Sequence, residues 1–247
     1  MRALLLSAGM GMRLRPLTNS VPKCLVEING RPLLDYWIEL LGKGGITELL
    51  INLHHLPDAV KSYVRSCRRP VNLTTVYEEK LLGTGGTLLK NRKFFRNEPC
   101  VLVHADNLSS FDVRDFIRRY QERENRVEIT MMTFHAAEPE TCGIVELDER
   151  GIVRAFHEKM RNPPGNLANA AVYVLSPSVI DFLAGLGKEV IDFSTEVLPH
   201  FMGRINTFHN AIYHRDIGTL PSLLAAQREY PVAVAKHNPG DAGRVSA

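Results

Sequence analysis

Apolar and polar positions change period several times along this chain, and each change marks an element. Leu4, Leu5 and Leu6 form a short apolar run after Ala3 and read as a buried strand. Between Pro32 and Leu41 the residues Leu33, Leu34, Trp37, Ile38 and Leu41 recur with helical spacing, and Gly42, Gly44 and Gly45 stop that helix. Glu48 to His54 alternates little and is rich in Leu and Ile, as a strand buried on both faces should be. Next come a helix over Pro57 to Cys67, opened by its proline, and a strand over Asn72 to Glu78. A helix over Thr84 to Phe95, a strand over Cys100 to Ala105, an Asp-capped helix over Asp112 to Arg123 and a strand over Val127 to His135 complete this half. Such alternation predicts an α/β fold with a doubly wound, mainly parallel, Rossmann-like mixed sheet.

The pattern changes after about residue 140. Cys142 to Leu147 and Ile152 to His157 read as short strands joined by the turn Asp148-Glu149-Arg150-Gly151. A strand over Ala168 to Leu175, helices over Pro177 to Leu183 and Thr195 to Met202, a strand over Ile205 to Tyr213 and a helix over Thr219 to Tyr230 follow. These elements are expected to extend the same sheet. One domain is therefore predicted over residues 1–230, with halves of about 1–140 and 141–230. From about Pro231 amphipathic pattern is lost, so 231–247 is expected to be a flexible tail.

Composition narrows the function classes. The formal net charge is only +3 and the basic residues are scattered, which argues against a nucleic-acid surface. No apolar run is long enough to cross a membrane, and the run after Arg2 leads straight into glycines and arginines, unlike a secretory signal. Cys24, Cys67, Cys100 and Cys142 lie far apart without paired spacing, which suits reduced, mostly buried thiols in the cytoplasm. Homo-oligomerisation stays open.

Candidate chemistry begins directly after the first strand. Ser7-Ala8-Gly9-Met10-Gly11-Met12-Arg13-Leu14-Arg15-Pro16-Leu17 is a glycine loop, followed by Pro22-Lys23. Glycine lets backbone N–H groups approach a ligand oxygen, and Arg13, Arg15 and Lys23 gather positive charge there. The position where the dinucleotide fingerprint needs a small residue is Leu14, and the phosphate-loop Gly-Lys-Ser/Thr ending is absent. A strand, a glycine loop and fixed cations together read as a nucleoside triphosphate site.

At these residues the chain resembles the sugar-1-phosphate nucleotidyltransferases, whose signature runs Gly-x-Gly-Thr-Arg-Leu-x-Pro-Leu-Thr with Pro-Lys shortly after. It departs at Met12, where that family usually carries Thr or Ser and thus a hydroxyl. The resemblance covers roughly residues 1 to 230 and makes the second half a small sugar-side extension of the fold. It implies that Ala8, Gly9, Gly11, Met12 and Arg13 meet the nucleotide, with Arg13 and Lys23 steadying the triphosphate and the pyrophosphate leaving group. It implies a base-binding turn at Gly83-Thr84-Gly85-Gly86, with Glu78 contacting the base. A carboxylate only accepts hydrogen bonds, and guanine offers two adjacent donors, so Glu78 favours GTP. The wording Leu82-Gly83-Thr84-Gly85-Gly86 is also similar to guanylyltransferases for mannose or heptose phosphates.

The same resemblance implies Mg²⁺ on two carboxylates. Asp106 ends a central strand, after Ala105 where the family usually has Gly, and Asp216 sits in the well-matched Asp216-Ile217-Gly218-Thr219. Gly143, Glu158, Lys159 and Asn169 are implied as sugar-phosphate ligands, with Lys159 holding the attacking phosphate. The histidines, His104 among them, lack metal-ligand spacing and read as structural. The expected activity joins a nucleotide, GMP from GTP first, to a sugar 1-phosphate, mannose 1-phosphate first, and releases pyrophosphate. Heptose 1-phosphate as acceptor, a uridylyl-, cytidylyl- or thymidylyltransferase, and a catalytically silent nucleotide-sugar sensor are the alternatives. No hexapeptide repeat follows in this sequence, so a second activity is not expected.

Overall fold

A computed structural model describes residues 1–237, and the expected tail residues 238–247 lie outside the described residues. The first strand, β1 (Arg2–Leu6), leads into the glycine loop, and two short strands, β2 (Glu27–Ile28) and β3 (Arg31–Pro32), precede helix α1 (Leu33–Lys43). Then come β4 (Glu48–Leu53), α2 (Pro57–Ser66), β5 (Asn72–Tyr77), α3 (Gly83–Lys90), β6 (Cys100–His104), β7 (Asn107–Ser110), α4 (Val113–Gln121) and β8 (Ile129–His135). The cap predicted for α4 is present, with Asp112 accepting from the backbone N–H groups of Arg114 and Asp115. The second half supplies the hairpin β9 (Gly143–Leu147) and β10 (Val153–Glu158), then β11 (Leu167–Leu175), α5 (Pro177–Gly185), β12 (Ile205–His209), β13 (Tyr213–Asp216) and α6 (Leu220–His237).

Strands from both halves form one sheet in the order β10-β9-β11-β6-β1-β4-β5, with β8 on β11 and β12 on β8. The run β6-β1-β4-β5 is parallel, as alternating strands and helices require. Antiparallel β11 enters between β6 and β8, so the parallel order breaks where the second half joins. One face of the sheet packs Leu5, Ile51 and Val103 against Trp37, Val60 and Phe116. The other packs Leu4, Leu50 and Leu102 against Leu88, Leu183 and Phe193. Both faces are covered, which explains why these strands read as unbroken apolar runs.

Four predicted elements come out differently. The helix expected over Thr84 to Phe95 ends at Lys90, and a separate 3₁₀ turn covers Arg92–Phe95. Ile205–Tyr213 is not one strand, because Asn210 turns the chain: its Oδ1 accepts from the N–H groups of Ile212 and Tyr213. The helix expected over Thr195 to Met202 is a π-turn over Phe193–Val197 followed by a 3₁₀ turn over Leu198–Phe201. Finally, α6 continues through Pro231 to His237, so residues 231–237 are helical rather than tail. Tyr230 packs edge-on against Tyr36 and Tyr213 at 5.1 and 5.4 Å, holding the helix to the body immediately before the proline. No helix among the described residues is long and apolar enough to cross a membrane.

Candidate functional site

The parallel strands deliver side chains to their carboxyl ends, where open α/β sheets bind ligands. A cavity of about 200 Å³ opens there, lined among others by Ala8, Gly9, Lys23, Asn52, Glu78, Gly83, Thr84, Thr87, His104 and Asp106. Nucleotide residues expected from sequence thus meet across β1, β5, β6 and the start of α3. Gly11, Met12 and Arg13 belong to the loop beside it. Gly11 takes φ +61°, and a Cβ there would lie 2.8 Å from the Thr18 methyl and 3.3 Å from Lys23 Cβ. Leu14 explains why the loop carries a large residue: it packs with Ile217, Leu223 and Ala226 and ties the loop to β13 and α6.

That tie positions the charges. In the two-stranded pairing of β7 with β13, Asn107 opposes Asp216, and the Ile217 N–H donates to the Asp106 carbonyl at 3.2 Å. Asp106 and Asp216 thereby converge on one ammonium: Lys23 Nζ donates to Asp106 Oδ2 at 2.8 Å and Asp216 Oδ1 at 3.2 Å. Arg13 donates to the other oxygen of Asp216 at 3.2 Å. Gly218 makes room for this contact, since a Cβ there would lie 2.5 Å from both the Arg13 guanidinium and Asp216 Oδ2. Burial pushes the Asp106 carboxyl upward, but Lys23 and His104 more than reverse this and leave it below its ordinary value.

At the other end of the cavity Glu78 is 1% exposed. Its Oε1 accepts from Thr87 Oγ1 at 2.7 Å and from Asn52 Nδ2 at 3.3 Å, while Oε2 is buried without a partner. One carboxylate oxygen is thus spent on orientation and the other is left buried without a partner, which differs from a carboxylate free to accept with both oxygens. The glycines also do more than flatten the turn. Gly83 and Gly86 press against the backbone carbonyls of Ile191 and Glu189, where a Cβ would come within 2.4 and 2.1 Å. Gly85 packs on the Ile191 side chain. They fix α3 against the second half and leave Gly83 and Thr84 lining the cavity.

The expected sugar-phosphate residues form a separate group on β9, β10 and β11, outside that cavity lining. Gly143 lies against Glu158, where a Cβ would be 2.9 Å from Oε2. Lys159 follows with φ +48° and a largely exposed ammonium 3.5 Å from Glu158. Asn169 is engaged within the fold: it accepts from the Ala171 N–H at 2.9 Å and donates to the Tyr173 hydroxyl at 2.6 Å, building the bulge in β11.

Sequence reasoning passed over Asn52 and Thr87 and read His104 as structural. A lone amide in the apolar run Leu49-Leu50-Ile51-Asn52-Leu53 was a usable signal, because a buried amide needs partners. It accepts from the Ser7 N–H at 2.7 Å and so joins the glycine loop to Glu78. The other histidines bind the scaffold. His54 meets the Glu78 carbonyl and His55 that of Thr18. Burial holds the His214 imidazole down to about 3. His104 departs from that pattern, for it lines the cavity with a buried, unpartnered Nε2.

This geometry defines an α/β protein with a glycine loop, a lysine and paired carboxylates at the carboxyl edge of its parallel strands. The chain belongs to the nucleotidyl transferase family, whose sequence model matches residues 2–232. It is 30% identical over 244 residues to a mannose-1-phosphate guanyltransferase of Pichia angusta, covering 96% of this chain and 66% of that protein. It is 31% identical over 222 residues to a mannose-1-phosphate guanylyltransferase of Mycobacterium tuberculosis, covering 88% of this chain and 61% of the relative. The chain therefore spans about two thirds of the length of these curated relatives. In fold it resembles the crystal structure of HddC from Yersinia pseudotuberculosis complexed with GMP-PN, at TM-score 0.78 and 23% identity over 93% of this chain and 99% of that one.

Proposed function

We propose that this protein transfers GMP from GTP to a sugar 1-phosphate, with mannose 1-phosphate the first candidate, and releases pyrophosphate. The observation that carries this reading is the pairing, in one cavity, of an oriented Glu78 that keeps one unpartnered oxygen with Lys23 and Asp106, the lysine also holding Asp216 at the cavity's edge. Glu78 Oε2 takes the donors of the guanine edge, while Thr87 and Asn52 keep the carboxylate aimed. The names of the guanylyltransferase relatives support the same base and sugar.

In the reaction an oxygen of the sugar phosphate attacks the α-phosphorus in line. A new P–O bond forms, the bond to the β-phosphate oxygen breaks, and pyrophosphate leaves with that electron pair. The chain needs no nucleophile of its own, because positioning and charge stabilisation carry such transfers. Lys23 and Arg13 steady the phosphates, and Lys159 with Glu158, Gly143 and Asn169 holds the sugar phosphate. Two half-exposed carboxylates sharing one ammonium are a donor set that fits Mg²⁺. Bound there, the ion would offset the repulsion between the two anionic substrates. Four free cysteines support a reducing, cytoplasmic setting.

The test is a matrix of GTP, ATP, UTP, CTP and dTTP against mannose, glucose and heptose 1-phosphates, read by pyrophosphate release in Mg²⁺. Highest kcat/KM with GTP and mannose 1-phosphate is expected. Turnover confined to a pyrimidine nucleotide would overturn the base assignment, and no pyrophosphate from any pair would favour a binding-only role.

A further inference from the structure

His104 sits where neither the base nor the phosphate chemistry uses it. Val76 on β5 pairs with Asn52 on β4, Asn52 with Leu6 on β1, and Leu6 with His104 on β6. These four residues form one row across adjacent strands, and Glu78 follows Val76 by two positions on the same face. The acceptors for a base lie at the β4–β5 end of that row, where Glu78, Asn52 and Thr87 interlock. Lys23 and Asp106 line the same cavity beyond His104 in function, as the charged pair suited to phosphates.

From Asn52 to His104 is two strand spacings, about 10 Å, which is the span of a purine nucleoside from its base edge to its ribose. His104 Nε2 is buried and without a partner, although buried imidazole nitrogens are normally hydrogen-bonded. A ribose hydroxyl both donates and accepts, so it can satisfy that nitrogen in either tautomer. Glu78 Oε2 and His104 Nε2 are thus two buried, unpartnered polar atoms on residues that line one cavity.

We infer that His104 holds a ribose hydroxyl of the bound nucleotide through Nε2, so that the site discriminates against a nucleotide that lacks that hydroxyl. This rests on the nucleotide reading above and adds a selectivity that reading does not contain. It also explains why a histidine interrupts the apolar strand Cys100-Val101-Leu102-Val103 immediately before Ala105-Asp106.

The experiment measures binding of GTP, 2′-deoxy-GTP and 3′-deoxy-GTP by calorimetry in Mg²⁺ buffer, without sugar phosphate, to the wild type, His104→Leu and His104→Asn. One hydrogen bond to a neutral partner corresponds to a loss of roughly 3- to 10-fold in affinity. Wild type should bind GTP that much more tightly than one of the deoxy analogues. His104→Leu should bring the two to parity by weakening GTP alone, and His104→Asn should keep part of the preference. Equal affinity of the wild type for all three ligands would overturn the inference without any variant and leave the guanylyl transfer reading intact. An unchanged preference in His104→Leu, or a change confined to sugar 1-phosphate affinity, would overturn it too. Failure of the wild type to bind any guanine nucleotide would instead remove the nucleotide reading, and this inference with it.

Discussion

Replacing Lys23 by Met tests the charge cluster without needing turnover. Methionine keeps an unbranched stem of similar volume, so the buried channel stays filled and the ammonium alone is lost. Lys23 is 6% exposed, whereas Asp106 and Asp216 are 40% and 51% exposed. A hydrogen bond to a charged group contributes about 1.5–3 kcal/mol when buried. Because both carboxylates are partly open to water and salt, about 1 kcal/mol for each is the better figure. The variant should therefore lose about 2 kcal/mol, and at 2–4 °C per kcal/mol for a chain of this size its Tm should fall by about 4–8 °C. Added Mg²⁺ should then act unequally. In the wild type an incoming cation competes with the ammonium, whereas the variant presents two carboxylates without their counter-charge. At ten times its Kd a ligand adds about 1.4 kcal/mol, so Mg²⁺ should return some 3–6 °C to the variant and less to the wild type. Acid should narrow the gap. The Asp106 carboxyl lies below its ordinary value, so its contribution is complete above the unfolded value of about 4 and is lost as pH falls through the folded one. Thermal unfolding followed by circular dichroism, with EDTA or Mg²⁺ between pH 3 and pH 7, reads all three effects. Equal Tm values in EDTA together with equal Mg²⁺ shifts would refute the bridging role.

On the proposed base contact, Glu78→Gln would place an amide opposite the guanine donors, and a mismatched buried hydrogen bond costs roughly 1–3 kcal/mol, so kcat/KM for GTP should fall about 5- to 150-fold while UTP loses less; parallel losses for both nucleotides would count against Glu78 as the base reader. Gly218→Ala should separate Arg13 from Asp216 by steric contact and lower kcat about tenfold with Tm nearly unchanged, and a variant with wild-type kcat would show that this pair is dispensable. Away from the site, Asp35 accepts from Tyr63, Arg31 and Arg69, and although burial raises its carboxyl, these donors hold it well below the carboxylate range. Asp35→Asn should therefore cost about 2–3 kcal/mol at neutral pH. That difference should persist down through pH 4 and close only in stronger acid, where the wild-type carboxyl is protonated, as urea denaturation across pH would reveal.

What the sequence could and could not disclose follows from the range of each interaction. The glycine loop, Lys23 and Asp216-Ile217-Gly218 were legible because their chemistry is carried by neighbouring residues. The ladder that joins them was not: Asn107-Leu108-Ser109-Ser110 has no strand period, and its partner Tyr213–Asp216 is hidden by the turn at Asn210. A period-based reading also runs through that turn, since Asn210 acts by hydrogen-bonding its own backbone and leaves the apolar spacing intact. Leu14 was misleading for the opposite reason. It broke a familiar glycine pattern, yet its burial against Ile217 is what brings the loop to the acidic pair. The glycines of Gly83-Thr84-Gly85-Gly86 read as a platform for a base, but nothing local discloses that their Cα faces also receive the backbone of Glu189 to Ile191, more than a hundred residues later. Pro231 read as an end because proline removes a helical hydrogen bond, a local cost that the contacts of Tyr230 with Tyr36 and Tyr213 offset. Apart from the local turn at Asn210, the parts that escaped the sequence are thus those in which a residue's partner lies far away along the chain. Asn52 shows the consequence for the site: its amide holds the Ser7 backbone with one end and Glu78 with the other. Any displacement of the glycine loop must therefore be felt at Glu78, and the loop and this carboxylate respond as one unit.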